Sequence, residues 1–333
     1  MTSLRARLTQ WFERRWFGDA RPGVALRALA ALFGRVARAR RAAFVSGRRP
    51  GERAGVPVIV VGNLAVGGAG KTPLTVALVE ALRRRGFRPG VISRGYGRQD
   101  AGARRVDADD LPAAVGDEPL LIMRRTGAPV AVAARRIEAA RLLVASGEVD
   151  VLVADDGLQH YALARDIEVL VIDGRRRLGN GLLLPAGPLR EPVQRAAACD
   201  FIVVNGGEAG AGEVPMRLAL ANAIPFDGAE PRALSSFQGE PVHAVAGIAD
   251  PERFFRALRA AGLDPIPHPF PDHHPFAASD LRFGDALPVL MTEKDAVKCA
   301  RIAPSNAWAV PVSAVLPDEF LDAVAARLRE LSP

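Results

Sequence analysis

Short, unbroken apolar runs alternate with segments of helical periodicity from residue 56 to about residue 205. The apolar runs are predicted strands at residues 58–61, 90–93, 129–133, 149–154, 167–172 and 201–204. Runs without polar alternation are typical of parallel strands that are covered on both faces, and the intervening helices supply that cover. The pattern therefore predicts an α/β fold with a parallel sheet and helices on both of its faces.

A glycine-rich stretch at residues 206–212 interrupts this alternation. Residues 216–220 and 233–237 are predicted connecting strands, after which strands and helices alternate again and the chain ends on a helix at residues 318–331. We therefore expect a larger α/β domain over residues 56–207 and a second, smaller α/β domain over residues 208–333 that includes the C-terminal helix.

The first 55 residues form a third region with a different character. They carry thirteen arginines and three acidic residues, which gives a local charge of +10 in a chain whose net charge is +7. In residues 4–17 apolar side chains recur at helical spacing, with arginines mostly on the other face, and a second helical pattern follows Pro22. We predict basic amphipathic helices over residues 1–55 that face an anionic membrane surface. The alternative is a helical hairpin packed on its own domain. The apolar positions of the first helix are Leu4, Leu8, Trp11, Phe12 and Trp16.

Cysteine content and hydropathy exclude several protein classes. Cys199 and Cys299 cannot build a disulfide framework or a cysteine metal site. No run of about 20 apolar residues predicts a membrane span, and the arginine-rich start fits a cleavable signal peptide badly. We expect a protein that faces the reducing cytosol.

The strongest chemical signal is a glycine-rich loop between the first strand and the first helix of the larger domain. Gly70-Lys71-Thr72 occupies the end of a Walker A loop, although Ala65 replaces its first glycine. Backbone N–H groups of such a loop bind phosphates, its lysine reaches the β- and γ-phosphates, and its hydroxyl binds Mg²⁺. The residues expected to contact ATP are Ala65, Val66, Gly67, Gly68, Ala69, Gly70, Lys71 and Thr72.

Two carboxylates follow an apolar strand, as in a Walker B segment. The strand over residues 151–154 leads into Asp155 and Asp156, and the carboxyl ends of parallel strands are where ligands collect. Together with Thr72, these two residues are predicted Mg²⁺ ligands, and Gln159 and His160 are expected to support them.

Seven motifs in one order resemble those of the tetraacyldisaccharide 4′-kinases. They are GNL-x-VGG-x-GKTP at residues 62–73, SRGYG at 93–97, GDEP at 116–119, DDGLQH at 155–160, P-x-GPLRE at 185–191, F-x-DHH at 270–274 and TEKDAVK at 292–298. The match spans both predicted domains, while the basic N-terminal region agrees in kind and not by motif.

This resemblance implies a reaction and a place in the cell. The γ-phosphate of ATP would pass, with Mg²⁺, to the 4′-hydroxyl of a tetraacyl glucosamine disaccharide 1-phosphate, giving lipid IVA in lipid A biosynthesis. The protein would be a peripheral protein of the cytoplasmic face of the inner membrane, with its active site between two unequal α/β domains. We expect it to act as a monomer whose partners are the lipid substrate and an anionic membrane surface, with no nucleic acid partner.

The resemblance also assigns residues beyond the two nucleotide motifs. Asp117 would be the catalytic base, paired with His273 from the smaller domain, and Lys71 would stabilise the transferring phosphoryl group. His274 is adjacent to His273 and stays an alternative. Arg94 and Arg190 would lie near the phosphates, and Glu191 near the metal. The cluster at residues 292–295 either binds nucleotide or holds the domains together.

The sequence also leaves two other classes of protein as alternatives. A P-loop ATPase switch of the partitioning type would carry a lysine where this chain has Val66. A nucleic-acid-associated NTPase could use the basic N-terminus as a phosphate-contacting arm. The aromatic residues interleaved with the arginines fit a lipid interface better.

Overall fold

The computed structural model describes residues 11–18, 20–98, 100 and 102–331. A short helical segment covers residues 11–16. The α-helices that follow are α1 (Val24–Val45), α2 (Lys71–Arg84), α3 (Pro112–Val115), α4 (Asp117–Thr126), α5 (Arg136–Ala145), α6 (Pro251–Ala260), α7 (Glu293–Cys299) and α8 (Asp318–Leu331). Three 3₁₀ helices lie at Val193–Ala198, Leu234–Phe237 and Ala278–Leu281.

Nine strands of the described chain form the larger sheet. They are β1 (Val58–Gly62), β2 (Pro89–Ser93), β3 (Arg104–Arg105), β4 (Val130–Val132), β5 (Val151–Ala154), β6 (Ile167–Asp173), β7 (Phe201–Asn205), β8 (Val214–Leu220) and β14 (Val312–Val315). Their order is β14-β8-β7-β6-β1-β5-β2-β4-β3, and only the edge strands β3 and β14 run antiparallel to their neighbours. The inner strands β1 and β5 are buried along their whole length, as unbroken apolar runs require. The predicted fold class is confirmed.

The other five strands form a second sheet. They are β9 (Ile224–Pro225), β10 (Pro241–Ala246), β11 (Asp264–Pro269), β12 (Val289–Thr292) and β13 (Ala307–Val310). The order is β11-β10-β12-β13-β9, with β9 antiparallel to β13 and the rest parallel. Residues 234–237, predicted as part of a strand, form a 3₁₀ helix with Phe237 buried in the core of this sheet.

A two-stranded ribbon joins the two sheets. β8 pairs with β14 in the larger sheet, β9 pairs with β13 in the second, and between them the backbone N–H of Ala221 donates to the carbonyl of Pro311 at 2.9 Å. The C-terminal helix α8 packs its apolar face into the core of the larger sheet. The predicted division at residue 208 therefore differs from the sheet membership, because β8, β14 and α8 bury their apolar faces in the larger unit and only residues 224–310 build the second sheet.

The N-terminal region lies against the larger unit, and part of it packs on its own chain. The indole N–H of Trp16 donates to the carbonyl of Pro185 at 3.0 Å, and the backbone N–H of Asn180 donates to the carbonyl of Trp16 at 2.8 Å. Trp16, predicted on the lipid-facing side of a helix over residues 4–17, is thus anchored to the protein. Residues 4–10 of that predicted helix lie outside the described residues.

Helix α1 has one apolar side that is packed on the protein and another that is exposed. Ala30 and Gly34 are buried, and a Cβ on Gly34 would lie 2.6 Å from the Leu183 side chain, so this side packs closely on the larger unit. The opposite side is exposed and apolar, with four residues at i, i+3, i+4 and i+7 spacing. These four, named here the α1 apolar face, are Leu29, Leu32, Phe33 and Val36. Within the part of the chain that the structure describes, no helix is long and apolar enough to cross a membrane.

Candidate active site

The glycine-rich loop runs from the end of β1 to the first turn of α2. Gly67 and Gly70 have φ values of +110° and +96°, which side chains other than glycine rarely adopt. Ala65, at the position where a Walker A loop has its first glycine, keeps a negative φ and forms an antiparallel bridge with Leu189. The loop therefore needs no glycine at residue 65.

The same bridge positions the segment that carries Arg190 and Glu191. The backbone N–H of Val66 donates to the carbonyl of Pro188 at 2.9 Å, and that of Arg190 donates to the carbonyl of Leu64 at 2.7 Å. The Arg190 guanidinium lies 3.4 Å from both carboxylate oxygens of Asp156. Two motifs that are more than 100 residues apart in the sequence thus form one edge of the site.

Asp155 is a buried carboxylate with one unsatisfied oxygen. Its Oδ1 accepts a hydrogen bond from Thr75 Oγ1 at 3.0 Å, whereas the buried Oδ2 has no hydrogen-bond partner. Burial, together with the negative charges of Glu118 and Asp156, raises the pKa of Asp155 to about 7. A divalent cation would satisfy the orphaned oxygen, so the residues present fit Mg²⁺.

Asp156 faces the positive groups of the site. Its Oδ1 lies 3.7 Å from Lys71 Nζ, and its φ of +48° is uncommon outside glycine. Burial would raise the pKa of Asp156, but the charges of Lys71, Arg190 and Arg136 hold the pKa below its ordinary value. Asp156 is therefore ionised and links the loop lysine to the segment that follows β5.

The described residues contain no cluster of three or more His, Cys, Asp or Glu side chains that could hold a metal by themselves. Mg²⁺ commonly binds to one or two carboxylates together with nucleotide phosphates, and so needs no such cage. Thr72 is the second residue of α2, beside Lys71, where a Walker A hydroxyl is expected.

Glu191 is held by protein groups. It is 3% exposed; Tyr161 donates a hydrogen bond to its Oε1, and Gln159 Nε2 lies 3.3 Å from its Oε2. Arg195 lies 3.9 Å from Oε2. Its predicted role as a metal ligand stays a prediction, and Gln159, which also bonds the carbonyl of Asn63 at 3.1 Å, connects it to the loop.

Arginines surround the segment that follows Asp156. Arg94 is exposed just after β2, and His160 is half-buried. Burial and the charges of Arg136, Arg165, Arg40 and Arg94 lower the pKa of His160 to about 4, so the imidazole is neutral at pH 7.

Asp117 and His273 meet across the two units. His273 Nδ1 lies 3.2 Å from Asp117 Oδ2, although the residues are 156 positions apart. Asp117 is the first residue of α4, and His273 follows β11 with a left-handed φ of +59°. Burial raises the pKa of Asp117, but the hydrogen bond to His273 and the charges of Lys298 and Lys294 bring the pKa below its ordinary value. The structure thus brings the predicted pair together with an ionised carboxylate.

His274, the alternative partner, points elsewhere. Its Nε2 lies 3.0 Å from Asp280 Oδ2, and its ring packs against Phe270 and Phe276. Its neighbours belong to the second unit, so Asp117 pairs with His273.

The cluster at residues 292–295 joins the two units. Glu293 accepts a hydrogen bond from Arg125 at 2.9 Å, and Lys294 Nζ lies 3.1 Å from Glu118 Oε1. Both partners are on α4, the helix that begins with Asp117. Asp295 instead accepts the backbone N–H of Gly247 at 2.7 Å, inside the second unit. These contacts favour the second of the two roles considered for the cluster, which is to hold the units together.

Comparison with known proteins identifies this arrangement. The sequence model of one protein family, described as tetraacyldisaccharide-1-P 4′-kinase, matches residues 23–329. The chain belongs to this family. Proteins named tetraacyldisaccharide 4′-kinase from Xanthomonas euvesicatoria pv. vesicatoria and from Stenotrophomonas maltophilia are each 52% identical to it, over 95% and 96% of both chains. The resemblance expected from the seven motifs is confirmed.

A solved structure of this kinase family has the same fold. The crystal structure of LpxK from Aquifex aeolicus in complex with ATP is similar with a TM-score of 0.78 at 26% identity. The similarity covers 90% of this chain and 98% of that chain.

Several residues of this kinase site lie outside the seven motifs. Thr75 is one helical turn beyond Lys71, and its contact with Asp155 depends on how α2 lies relative to the end of β5. Arg136 donates to the backbone carbonyls of Asp155 and Asp156 at 3.2 and 2.7 Å. Asn205 is a polar residue at the carboxyl end of a predicted parallel strand, which is a usable sequence signal.

Proposed function

We propose that the chain transfers the γ-phosphate of ATP to the 4′-hydroxyl of a tetraacyl glucosamine disaccharide 1-phosphate, which forms lipid IVA in lipid A biosynthesis. Membership of the kinase family supports the donor and the acceptor. The observation that carries the proposed site is the contact of Asp117 with His273 beside a phosphate loop whose lysine faces Asp156. A partitioning-type switch gains no support.

Lys71 and the loop backbone would bind the phosphates of ATP. Successive N–H groups over residues 67–71 and the N-terminus of α2 present positive partial charge to an anion, whereas the N–H of Val66 is bonded to the carbonyl of Pro188. Arg190 and Arg94 would add charge at the two sides of this cradle. Thr72, Asp155 and Asp156 would hold Mg²⁺, which supplies charge neutralisation at the transferring phosphoryl group.

Asp117 and His273 would take the proton of the attacking 4′-hydroxyl. The carboxylate is ionised and accepts from His273 Nδ1, which fixes the ring orientation and leaves Nε2 available to a substrate. Tyr96, which is largely exposed, lies with its ring centroid 5.4 Å from that of His273 and would border the sugar.

The α1 apolar face would lie in the headgroup region of an anionic membrane. Its four side chains are exposed, and Arg27, Arg35 and Arg38 are exposed beside them, as in an interfacial amphipathic helix. Since ATP is held in the cytosol and the acceptor carries acyl chains, we place the chain on the cytoplasmic face of the inner membrane as a peripheral monomer.

A transfer assay with labelled ATP, Mg²⁺ and the acceptor in detergent tests the activity. Lys71→Ala should lower the turnover by about 10²- to 10³-fold, because it removes a charge aimed at the phosphoryl group. Arg259→Ala, whose partner is the exposed Glu252, is the matched control and should keep full activity. Wild-type protein that transfers no phosphate would refute the function, and an active Lys71→Ala would refute the assignment of the loop.

A further inference from the structure

A chain of three polar groups connects helix α6 of the second unit to the phosphate loop. Arg253 donates from its guanidinium to Asn205 Oδ1 at 2.9 Å, and Asn205 Nδ2 donates to the carbonyl of Ala69 at 2.9 Å. Asn205 is 2% exposed at the end of β7, and Ala69 immediately precedes Gly70 in the loop. The second unit therefore contacts the nucleotide loop through side chains that the proposed chemistry does not use.

The direction of the Ala69 carbonyl matters for anion binding. A loop that binds phosphates must direct its N–H groups toward the anion and its carbonyl oxygens away from it. The bond from Asn205 turns the Ala69 oxygen toward β7, and the peptide plane then turns the N–H of Gly70 to the opposite side. Asn205 thus sets the orientation of one donor of the cradle.

Arg253 fixes which end of the Asn205 amide faces the loop. An asparagine amide has a donor end and an acceptor end, and rotating it by half a turn would place oxygen against oxygen at Ala69. A guanidinium can only donate hydrogen bonds, so Arg253 requires the amide oxygen of Asn205 at this position and excludes the amide nitrogen. The other side of the guanidinium lies 3.7 Å from Asp173, whose Oδ1 accepts the backbone N–H groups of Arg175 and Arg176.

The chain of the second unit also lies close to the phosphate loop near Gly68. A Cβ on Gly68 would lie 3.8 Å from the Cβ of Ala249, in the connection that leads into α6. The helix belongs to the sheet whose strand β11 leads to His273. The contact of Arg253 therefore ties the phosphate loop to the unit that supplies the histidine.

We infer that Arg253 is a positioning residue for ATP binding, which acts through Asn205 on the Ala69–Gly70 peptide of the phosphate loop. The inference rests on the proposed nucleotide site. Replacing Arg253 should weaken binding of the nucleotide phosphates and leave binding of the lipid acceptor unchanged, because Arg253 contacts the loop through Asn205 and does not contact the Asp117–His273 pair.

Two substitutions at Arg253, by side chains of similar length, separate the effect of its hydrogen bond to Asn205 from the effect of its packing. Arg253→Met keeps the apolar stem without a donor, and Arg253→Lys keeps a charged donor. We expect Arg253→Met to raise the dissociation constant and the KM for ATP at least about tenfold, since the loss of a hydrogen bond from a charged group changes an equilibrium constant by roughly ten- to hundredfold. Arg253→Lys should recover part of the loss. The KM for the acceptor should stay at the wild-type value, and Arg259→Met is the control on the same helix.

A double-mutant cycle with Asn205→Ala tests the route of the effect. If Arg253 acts through Asn205, Arg253→Met should add little to the loss caused by Asn205→Ala. The inference would be overturned if the two losses multiplied, or if the Arg253→Lys and Arg253→Met variants bound ATP equally well. It would also be overturned if Arg253→Met lowered the melting temperature but bound ATP as tightly as the wild type does. Failure of the wild-type protein itself to bind ATP would instead overturn the proposed nucleotide site.

Discussion

Replacing three of the four residues of the α1 apolar face should release the protein from anionic vesicles and leave its catalytic activity in detergent unchanged. The variant replaces Leu29, Leu32 and Val36 with serine, at positions that are 54%, 58% and 63% exposed. These side chains are exposed and belong to no hydrophobic cluster of the described residues, so the free energy of unfolding should change by only a few tenths of a kcal/mol per residue, through helix propensity.

The magnitude follows from the exposed fraction of each side chain. Full burial of a leucine or valine is worth about 1.5–3 kcal/mol, and these residues have roughly half of their surface left to bury in lipid. Each then contributes about 1 kcal/mol, and the three together contribute about 3 kcal/mol. The partition coefficient onto vesicles should therefore fall by roughly 10²-fold, or about fivefold per residue.

Val45→Ser is the matched control. Val45 is 70% exposed on the same helix. It lies nine residues beyond Val36, which at about 3.6 residues per turn is the opposite side of α1. Sedimentation with phosphatidylglycerol-containing vesicles should show a loss for the triple variant and none for Val45→Ser, while transfer to acceptor in detergent stays near the wild-type rate. Equal sedimentation of the triple variant and the wild type, or equal losses in the triple variant and the control, would refute this reasoning.

Three further predictions concern the catalytic site. Asp117→Ala and His273→Ala should each lower the turnover about 10²- to 10⁴-fold, and the double variant should be little worse than either; His274→Ala should be mild, and strict multiplication of the first two losses would show that they act independently. Thr75→Val removes the hydrogen bond to Asp155 and should raise the Mg²⁺ concentration for half-maximal activity about tenfold, whereas an unchanged Mg²⁺ dependence would separate Asp155 from the metal. Because the folded pKa of Asp117 lies below the ordinary value of about 3.9, its ionised form stabilises the fold above that pH, and this stability is lost as the pH falls through the lowered pKa. Asp117→Asn should therefore lower the urea midpoint at pH 7 but differ less from the wild type below about pH 4, and a constant difference across that range would contradict the assignment.

The sequence predicted the elements that local patterns determine. Buried parallel strands are apolar throughout, and a phosphate loop needs glycines with positive φ at Gly67 and Gly70, so both leave a direct trace in the sequence. The pairing of Asp117 with His273 came from family resemblance, since nothing in the spacing of two residues 156 positions apart specifies a contact.

Other features depend on packing partners, which the hydrophobic periodicity of a segment does not specify. The amphipathic pattern of residues 11–16 is the same whether Trp16 meets lipid or the carbonyl of Pro185, and the structure shows the latter. The apolar patterns of β8 and α8 likewise do not specify which sheet they pack on, and the structure places α8 in the core of the larger sheet. The sequence did not predict the role of Arg253 for the same reason, because that role depends on a hydrogen bond to Asn205, which is 48 positions away in the sequence.

The ribbon that joins the two sheets has a consequence for the order in which the protein folds as it is synthesised. The larger sheet begins with β1, yet its edge strand β14 and the helix α8 that covers α2 are synthesised only after every strand of the second sheet. Until then Phe201 lacks the ring of Phe320, whose centroid lies 5.2 Å from its own in the folded protein. The larger unit therefore cannot complete its hydrophobic core until the whole second unit has been synthesised, and part of its apolar surface lacks its partners during that time.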